Sequence, residues 1–337
     1  MRRAECGLRK RDGKQTKGNT MKYRHADTEW MRSDFGISVH WTSHTVCLDG
    51  TKRPFAEAVE RFDAERFADA VAETGAAHCI FTLTHAEQYL AMPNPVLERL
   101  LPGRTAGRDL IGEIIEALKK RNVRFIAYYN HSCNGNDDPR WKEACGYAAG
   151  VNGNLDRFAQ NICGIVSCIG KRYGRGICGW WFDSGYSVDP RGPVNTISCE
   201  LGEWRFPWEA LAAAAKSGNP EAAAAVNAGI GSRFLYTDCQ DYYAGETVEP
   251  DQVFEPEAVP EMRDHRWICA DSPAWVFGRK SAENGFAEPR FTDGCLKRFI
   301  GEHLDAGRMV TLNLLVDQSG IVNPKAVRQI GRIRPRS

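Results

Sequence analysis

Gly176-Ile177-Cys178-Gly179-Trp180-Trp181-Phe182-Asp183-Ser184-Gly185 is the stretch whose reading decides the fold. An unbroken apolar run of this length, opened by glycines, reads as a strand buried on both faces. It ends in one carboxylate followed at once by a turn. An unpaired charge buried at such a place costs several kcal/mol, so Asp183 either caps the next turn or has work to do. In barrels of parallel strands the C-terminal strand ends build the active site. Asp183 is therefore the first candidate catalytic group.

Outward from this strand, strand-like and helix-like segments alternate. Strands are expected at Phe35 to Trp41, His78 to His85, Val123 to Tyr129, Ala224 to Asn227, Arg266 to Ala270 and Met309 to Val316. Helices are expected from Asp63 (as N-cap), Asp109 to Arg121, Leu155 to Ile169, Leu296 to Ala306 and Pro324 to Ile333. The Ala-rich stretch Trp208 to Ala225 reads as helix broken at Gly218-Asn219-Pro220. About seven strands separated by helices point to an α/β protein with a parallel sheet, and their number and length favour a (β/α)8-type barrel over an open sheet. No Gly-x-Gly-x-x-Gly and no phosphate loop follows the first strand.

The chain has 337 residues, 42% of them hydrophobic and 26% charged, an ordinary globular composition. Its net charge of +1 argues against nucleic acid as the main partner. Residues 1–20 hold seven Lys/Arg and two Asp/Glu and no apolar run. Residues 1–24 are thus expected to be a basic, disordered extension, and 25–337 a single barrel domain. No segment has transmembrane length, and no secretory signal is seen. The twelve cysteines are scattered, without C-x-x-C or zinc-site spacing. Reduced thiols in a cytoplasm are the expectation, with no metal and no cofactor.

The expected strand ends collect His40-Trp41, His85, Glu87, Tyr128-Tyr129, Asn130-His131, Asp183, Asn227, Asp271, Trp275, Asn313 and Asp317. Aromatic faces stack on the apolar faces of sugar rings, while His, Asn and carboxylates bond vicinal hydroxyls. A carbohydrate is the expected partner, and hydrolysis by two carboxylates is the simplest chemistry such a pocket can run. Strand neighbours point opposite ways, so one of Tyr128 and Tyr129 faces the pocket; Tyr129 is preferred.

At these positions the chain resembles the α-L-fucosidases of glycoside hydrolase family 29. Phe35-Gly36-Ile37 to His40-Trp41 is similar to that family's opening Phe-Gly-Ile-Phe strand ending in His-Trp-Gly. Phe62-Asp63-Ala64 through Thr74-Gly75-Ala76 resembles its F-D-A-x-x-W-A helix, and Arg108-Asp109-Leu110-Ile111-Gly112-Glu113 its R-D-L-V-G-E. Trp181-Phe182-Asp183 is similar to W-F-D-G, Asp241-Tyr242-Tyr243-Ala244-Gly245-Glu246 to G-D-[FY]-x-T-P-E, and Leu312-Asn313 through Gly320 to the closing L-L-N-x-x-P-D-x-x-G. The resemblance implies a retaining exo-hydrolase of terminal α-L-fucosyl groups, with Asp183 as nucleophile and Glu246, on a loop, as general acid/base. Asp241 and Asp238 are the next candidates for the acid. His40, Trp41, His85, Glu87, Tyr129, Asn227 and Trp275 would then bind substrate. Three departures stand out. Ala86 replaces the second His of Lys-His-His-Asp-Gly-Phe. Asn227-Ala228-Gly229 lacks the Arg of Asn-x-Arg, for which Arg233 is a substitute. No C-terminal β-sandwich is expected. A different sugar, or a sugar-binding barrel without catalysis, is the competing expectation.

Overall fold

Eight parallel strands close on one another in sequence order: β1 (Phe35–Val39), β2 (His78–Thr84), β3 (Arg124–Asn130), β4 (Gly179–Asp183), β5 (Ala223–Ile230), β6 (Tyr242–Thr247), β7 (Arg263–Cys269) and β8 (Met309–Leu314). β8 returns to β1 with Asn313 opposite Ser38. The computed structural model describes residues 23–133, 137–147, 154–189, 191, 204–252, 262–279 and 285–334.

Strand alternation sorts the core into two layers. Ile37, Val39, Phe81, Tyr129 and Phe182 pack outward beneath the helices. Ile80, Ile126, Tyr128, Trp181, Ala225, Tyr242, Ala244 and Trp267 fill the barrel interior. The helices form where apolar stripes meet caps. Asp63 accepts from Arg66 N and Asp109 from Gly112 N, and helix Leu110–Lys119 buries Leu110, Ile111, Ile114, Ile115 and Leu118. Pro324 at the first turn of the last helix follows the capping residue Asn323.

Low in the interior, His78 on β2 bonds the Thr311 hydroxyl on β8 at 2.6 Å, and His265 on β7 bonds the same hydroxyl at 2.6 Å. The path of His78 crosses β1 at Gly36. A Cβ there would lie 2.3 Å from the His78 carbonyl oxygen and 2.4 Å from its ring.

The structure corrects the expected element list in three places. Glu246 stands on a strand, β6, and not on a loop. The Ala-rich helix stops at Ala215, and Ala223, Ala224 and Ala225 belong to β5. Of the expected loose extension, 1–24, only Tyr23 and Arg24 are described. Residues 1–22 lie outside the described residues, but Tyr23 and the segment after it are bound. The Tyr23 hydroxyl donates to Asp241 Oδ2 at 3.3 Å, Ala26 N to Asp241 Oδ1 at 2.9 Å, and Lys216 pairs with Asp241 at 2.9 Å. Asp241 immediately precedes β6 and also caps Ala224 N near the start of β5, so it sits at the N-terminal end of the barrel. It is removed as a candidate acid.

Candidate active site

Asp183 ends β4 beside Asn130 of β3 in the ladder. Its Oδ2 accepts from the Tyr128 hydroxyl at 2.6 Å and from Asn130 Nδ2 at 2.7 Å, and its Oδ1 from Asn227 Nδ2 at 2.9 Å. Asn130 is itself fixed, since its Oδ1 takes hydrogens from Ser132 N and Ser184 Oγ. Three oriented donors hold this buried carboxylate in one position. The backbone around it is strained: Ala86, Ser132 and Ser184 have φ of 32°, 56° and 67°. Left-handed non-glycine residues cost about 1–3 kcal/mol each and gather where neighbouring structure over-determines them. All three follow the C-terminal ends of β2, β3 and β4.

Asn227 Nδ2 also donates to Glu246 Oε1, at 2.7 Å. Both accepting oxygens are within 2.9 Å of that nitrogen, so they are no more than about 6 Å apart. Burial and the charge of Asp183 raise the Glu246 carboxyl to about 7, against the pull of Asn227 and Arg233. The two carboxylates are thereby made unlike: one surrounded by donors, the other able to keep a proton near neutral pH.

These groups open into a cleft of about 500 Å³. His85 forms one wall, stacked on Trp275 at 4.4 Å between ring centroids and parallel to Tyr128 at 6.2 Å. His40 meets Tyr128 and Trp275 edge-on, at 4.9 and 5.2 Å. Burial pushes both histidines down, so each is an uncharged hydrogen-bonding group. His44, Ala86, Asp137 and Tyr186 complete the rim. The Trp275 side remains 37% exposed, which leaves an indole available to an incoming ring.

The structure brings Asp183, Glu246, Asn227, His40, His85 and Trp275 together. Tyr128 and Asn130 join them, and several other residues expected there do not. Trp41 points outward, packs against Phe55 and Phe62, and donates its Nε1 hydrogen to the Gln318 carbonyl. Tyr129 is buried in the outer layer with its hydroxyl on Gln88; Tyr128 is the tyrosine in the cleft. Glu87 is half-buried away from the cleft, its carbonyl accepting from Arg104. Arg233 lies against Gly245 and pairs with Asp264 at 3.3 Å, so it does not reach into the cleft as a substitute arginine. Asp271 accepts from Leu315 N and Asn323, and Asp317 from Ser319 and Ile321 N, so both hold loops. Parity would have corrected both aromatic errors. Asn130 and His40 are polar strand-end residues facing inward, which puts Tyr128 on the inner face and Trp41 on the outer one.

A comparison with curated protein sequences gives no match. Among solved structures, the fold is similar to an endo-fucoidan hydrolase of glycoside hydrolase family 107, with a TM-score of 0.63 and 15% identity over 90% of this chain and 91% of that one. It is similar to a family 29 alpha-L-fucosidase from Bacteroides thetaiotaomicron, with a TM-score of 0.63 and 15% identity over 94% of this chain and 74% of that one. It is also similar to an alpha-L-fucosidase from Lactobacillus casei solved with alpha-L-fucose, with a TM-score of 0.61 and 18% identity over 90% and 95%. Likenesses at this identity speak for the barrel alone. The sequence speaks further, because the family model described as alpha-L-fucosidase matches residues 19–283. The chain belongs to the alpha-L-fucosidase family and is a glycoside hydrolase.

Proposed function

We propose that the protein hydrolyses terminal α-L-fucosides with retention of anomeric configuration, using Asp183 as nucleophile and Glu246 as general acid/base. The observation that carries this reading is the single amide nitrogen of Asn227 bonded to both carboxylates. Retaining enzymes hold their carboxyls about 5–5.5 Å apart, and inverting ones about 6.5–9.5 Å to admit a water. A shared donor supports the shorter spacing. In the first step Asp183 attacks the anomeric carbon, and the bond to the leaving oxygen breaks as Glu246 protonates that oxygen. In the second step Glu246 takes a proton from water, the water oxygen bonds the anomeric carbon, and the ester to Asp183 breaks. His40, His85 and Trp275 bind the sugar. The two carboxylates held side by side speak against a barrel that only binds sugar.

Ala86 favours a second reading, in which the same machinery accepts a differently decorated sugar. Where the family pattern has a second histidine, the cleft wall here is a methyl group. Assaying aryl glycosides of several sugars, α-L-fucoside among them, separates the two readings. Asp183→Ala should lose several orders of magnitude in turnover on the preferred sugar. The first-formed product, followed by NMR, should be the α anomer. A β anomer as first product, or near-normal turnover by Asp183→Ala, would sink the mechanism.

A further inference from the structure

We propose that Asn313 fixes the tautomer of His40, so that His40 accepts a hydrogen from one sugar hydroxyl and cannot donate one. The proposal rests on the fucoside-binding role given to the cleft above.

The hydrogen positions follow from which neighbours can only donate and which can only accept. The amide of Asn313, on β8, has the Trp275 carbonyl oxygen 3.0 Å from one end. A carbonyl has no hydrogen, so that end is the NH2 group. The opposite end is the oxygen, and it meets Ser38 Oγ at 3.1 Å and His40 Nδ1 at 2.9 Å. The indole nitrogen of Trp267 lies 2.8 Å from Ser38 Oγ, and an indole nitrogen only donates. Ser38 therefore receives one hydrogen from Trp267 and directs its own to Asn313. The two lone pairs of the Asn313 oxygen serve Ser38 and His40, which requires the hydrogen of His40 to be on Nδ1.

A neutral imidazole has one N–H, so Nε2 then carries a lone pair. Burial keeps the ring neutral, outweighing the opposing effects of Asn313 and Asp183. His40 lines the cleft, and no described residue bonds its Nε2. Trp267, Ser38 and Asn313 are buried and pinned across β7, β1 and β8, so the ring has no easy way to exchange its tautomer. An acceptor so placed is satisfied by a hydroxyl and left facing a lone pair by a fluorine or an ether oxygen. Asn313 is a positioning residue in this scheme, because it acts on the sugar only through His40.

The test has a spectroscopic arm and a kinetic arm, both on the full chain. The protein is labelled with 15N at its eight histidines, and the His40 signals are identified by their loss in His40→Gln. At neutral pH the wild type should show a pyrrole-type Nδ1 and a pyridine-type Nε2. Asn313→Leu should shift the balance towards Nε2–H, and Asn313→Asp should give a ring protonated on both nitrogens. A wild type with its hydrogen on Nε2, or variants with an unchanged pattern, overturns the proposal. In the kinetic arm, aryl α-L-fucosides carry fluorine in place of each ring hydroxyl in turn. One position should cost the wild type at least about tenfold more in kcat/KM than it costs Asn313→Leu, the size of one misdirected hydrogen bond. The inductive effect of fluorine is common to both proteins and cancels in that ratio. If no position shows the difference, the acceptor role is wrong. If the parent fucoside is not cleaved at all, the fucosidase reading fails instead, while the nitrogen signals still decide the tautomer.

Discussion

Asn227 does more than bind substrate, the role its residue type and strand-end position suggest. Its amide holds the nucleophile and the acid side by side. The raised carboxyl of Glu246 follows from burial first and the neighbouring Asp183 charge second. A general acid must be protonated, so kcat/KM should fall as pH rises through about 7. The Asn227 hydrogen bond opposes that rise. Asn227→Ala should therefore move this basic limb to higher pH, while lowering kcat because Asp183 loses a donor. A limb that stays in place or moves down would show that another group sets it. Glu246→Ala should cripple substrates with poor leaving groups, spare activated aryl fucosides and be rescued by azide. Equal damage to both substrate types would take the acid role from Glu246.

Among the elements, the strands were legible where apolar runs were long and bounded by turn residues, as in Gly179–Asp183 and His78–Thr84. β6 was not, because Gly245 and the acidic residues before and after it read as loop. It survives as a strand because β5 and β7 pair with it on both sides. The Ala-rich run read as helix through Ala225, overlapping the strand expected from Ala224, because alanine is the best helix former. Tertiary context overrode propensity: Ala223 and Ala225 pack in the barrel interior with Trp181, and Ala224 packs in the outer layer. The directions of side chains at strand ends were harder than the strands themselves: a one-residue error in parity moves an aromatic from the cleft to the outer layer, as with Tyr129. Gly36 is where β1 depends on having no side chain. Its missing Cβ makes room for the imidazole that runs from β2 to Thr311 on β8. Gly36→Ala should destabilise the protein by about 2 kcal/mol or more, because the closest atom is backbone and cannot turn aside. Urea unfolding at constant slope measures it, and a change below about 0.5 kcal/mol would mean that the strands part more easily than their register suggests.

At the scale of the whole molecule, acid should be the weak side. His131 is buried among Phe158, Phe182 and Phe206, and neither ring nitrogen meets a partner among the described residues. Burial holds it down at about 4. A depressed folded-state value means that the stability associated with this site is intact above the ordinary histidine value of about 6.5 and is lost as pH falls from there towards 4, because only the unfolded chain takes up the proton. The urea midpoint should drop over that window, and His131→Phe should flatten part of the drop. An equally steep fall in the variant would assign the acid sensitivity elsewhere, with His265 next, since burial also holds it well below its ordinary value. The binding of Tyr23 and Ala26 to Asp241 has a practical side. The chain enters the barrel at the end opposite the cleft. A support coupled at position 24, where the Arg24 side chain is exposed, therefore attaches to the back of the molecule and leaves its mouth turned to the solution, so an immobilised preparation should keep access even to substrates that are themselves displayed on a bead or a surface.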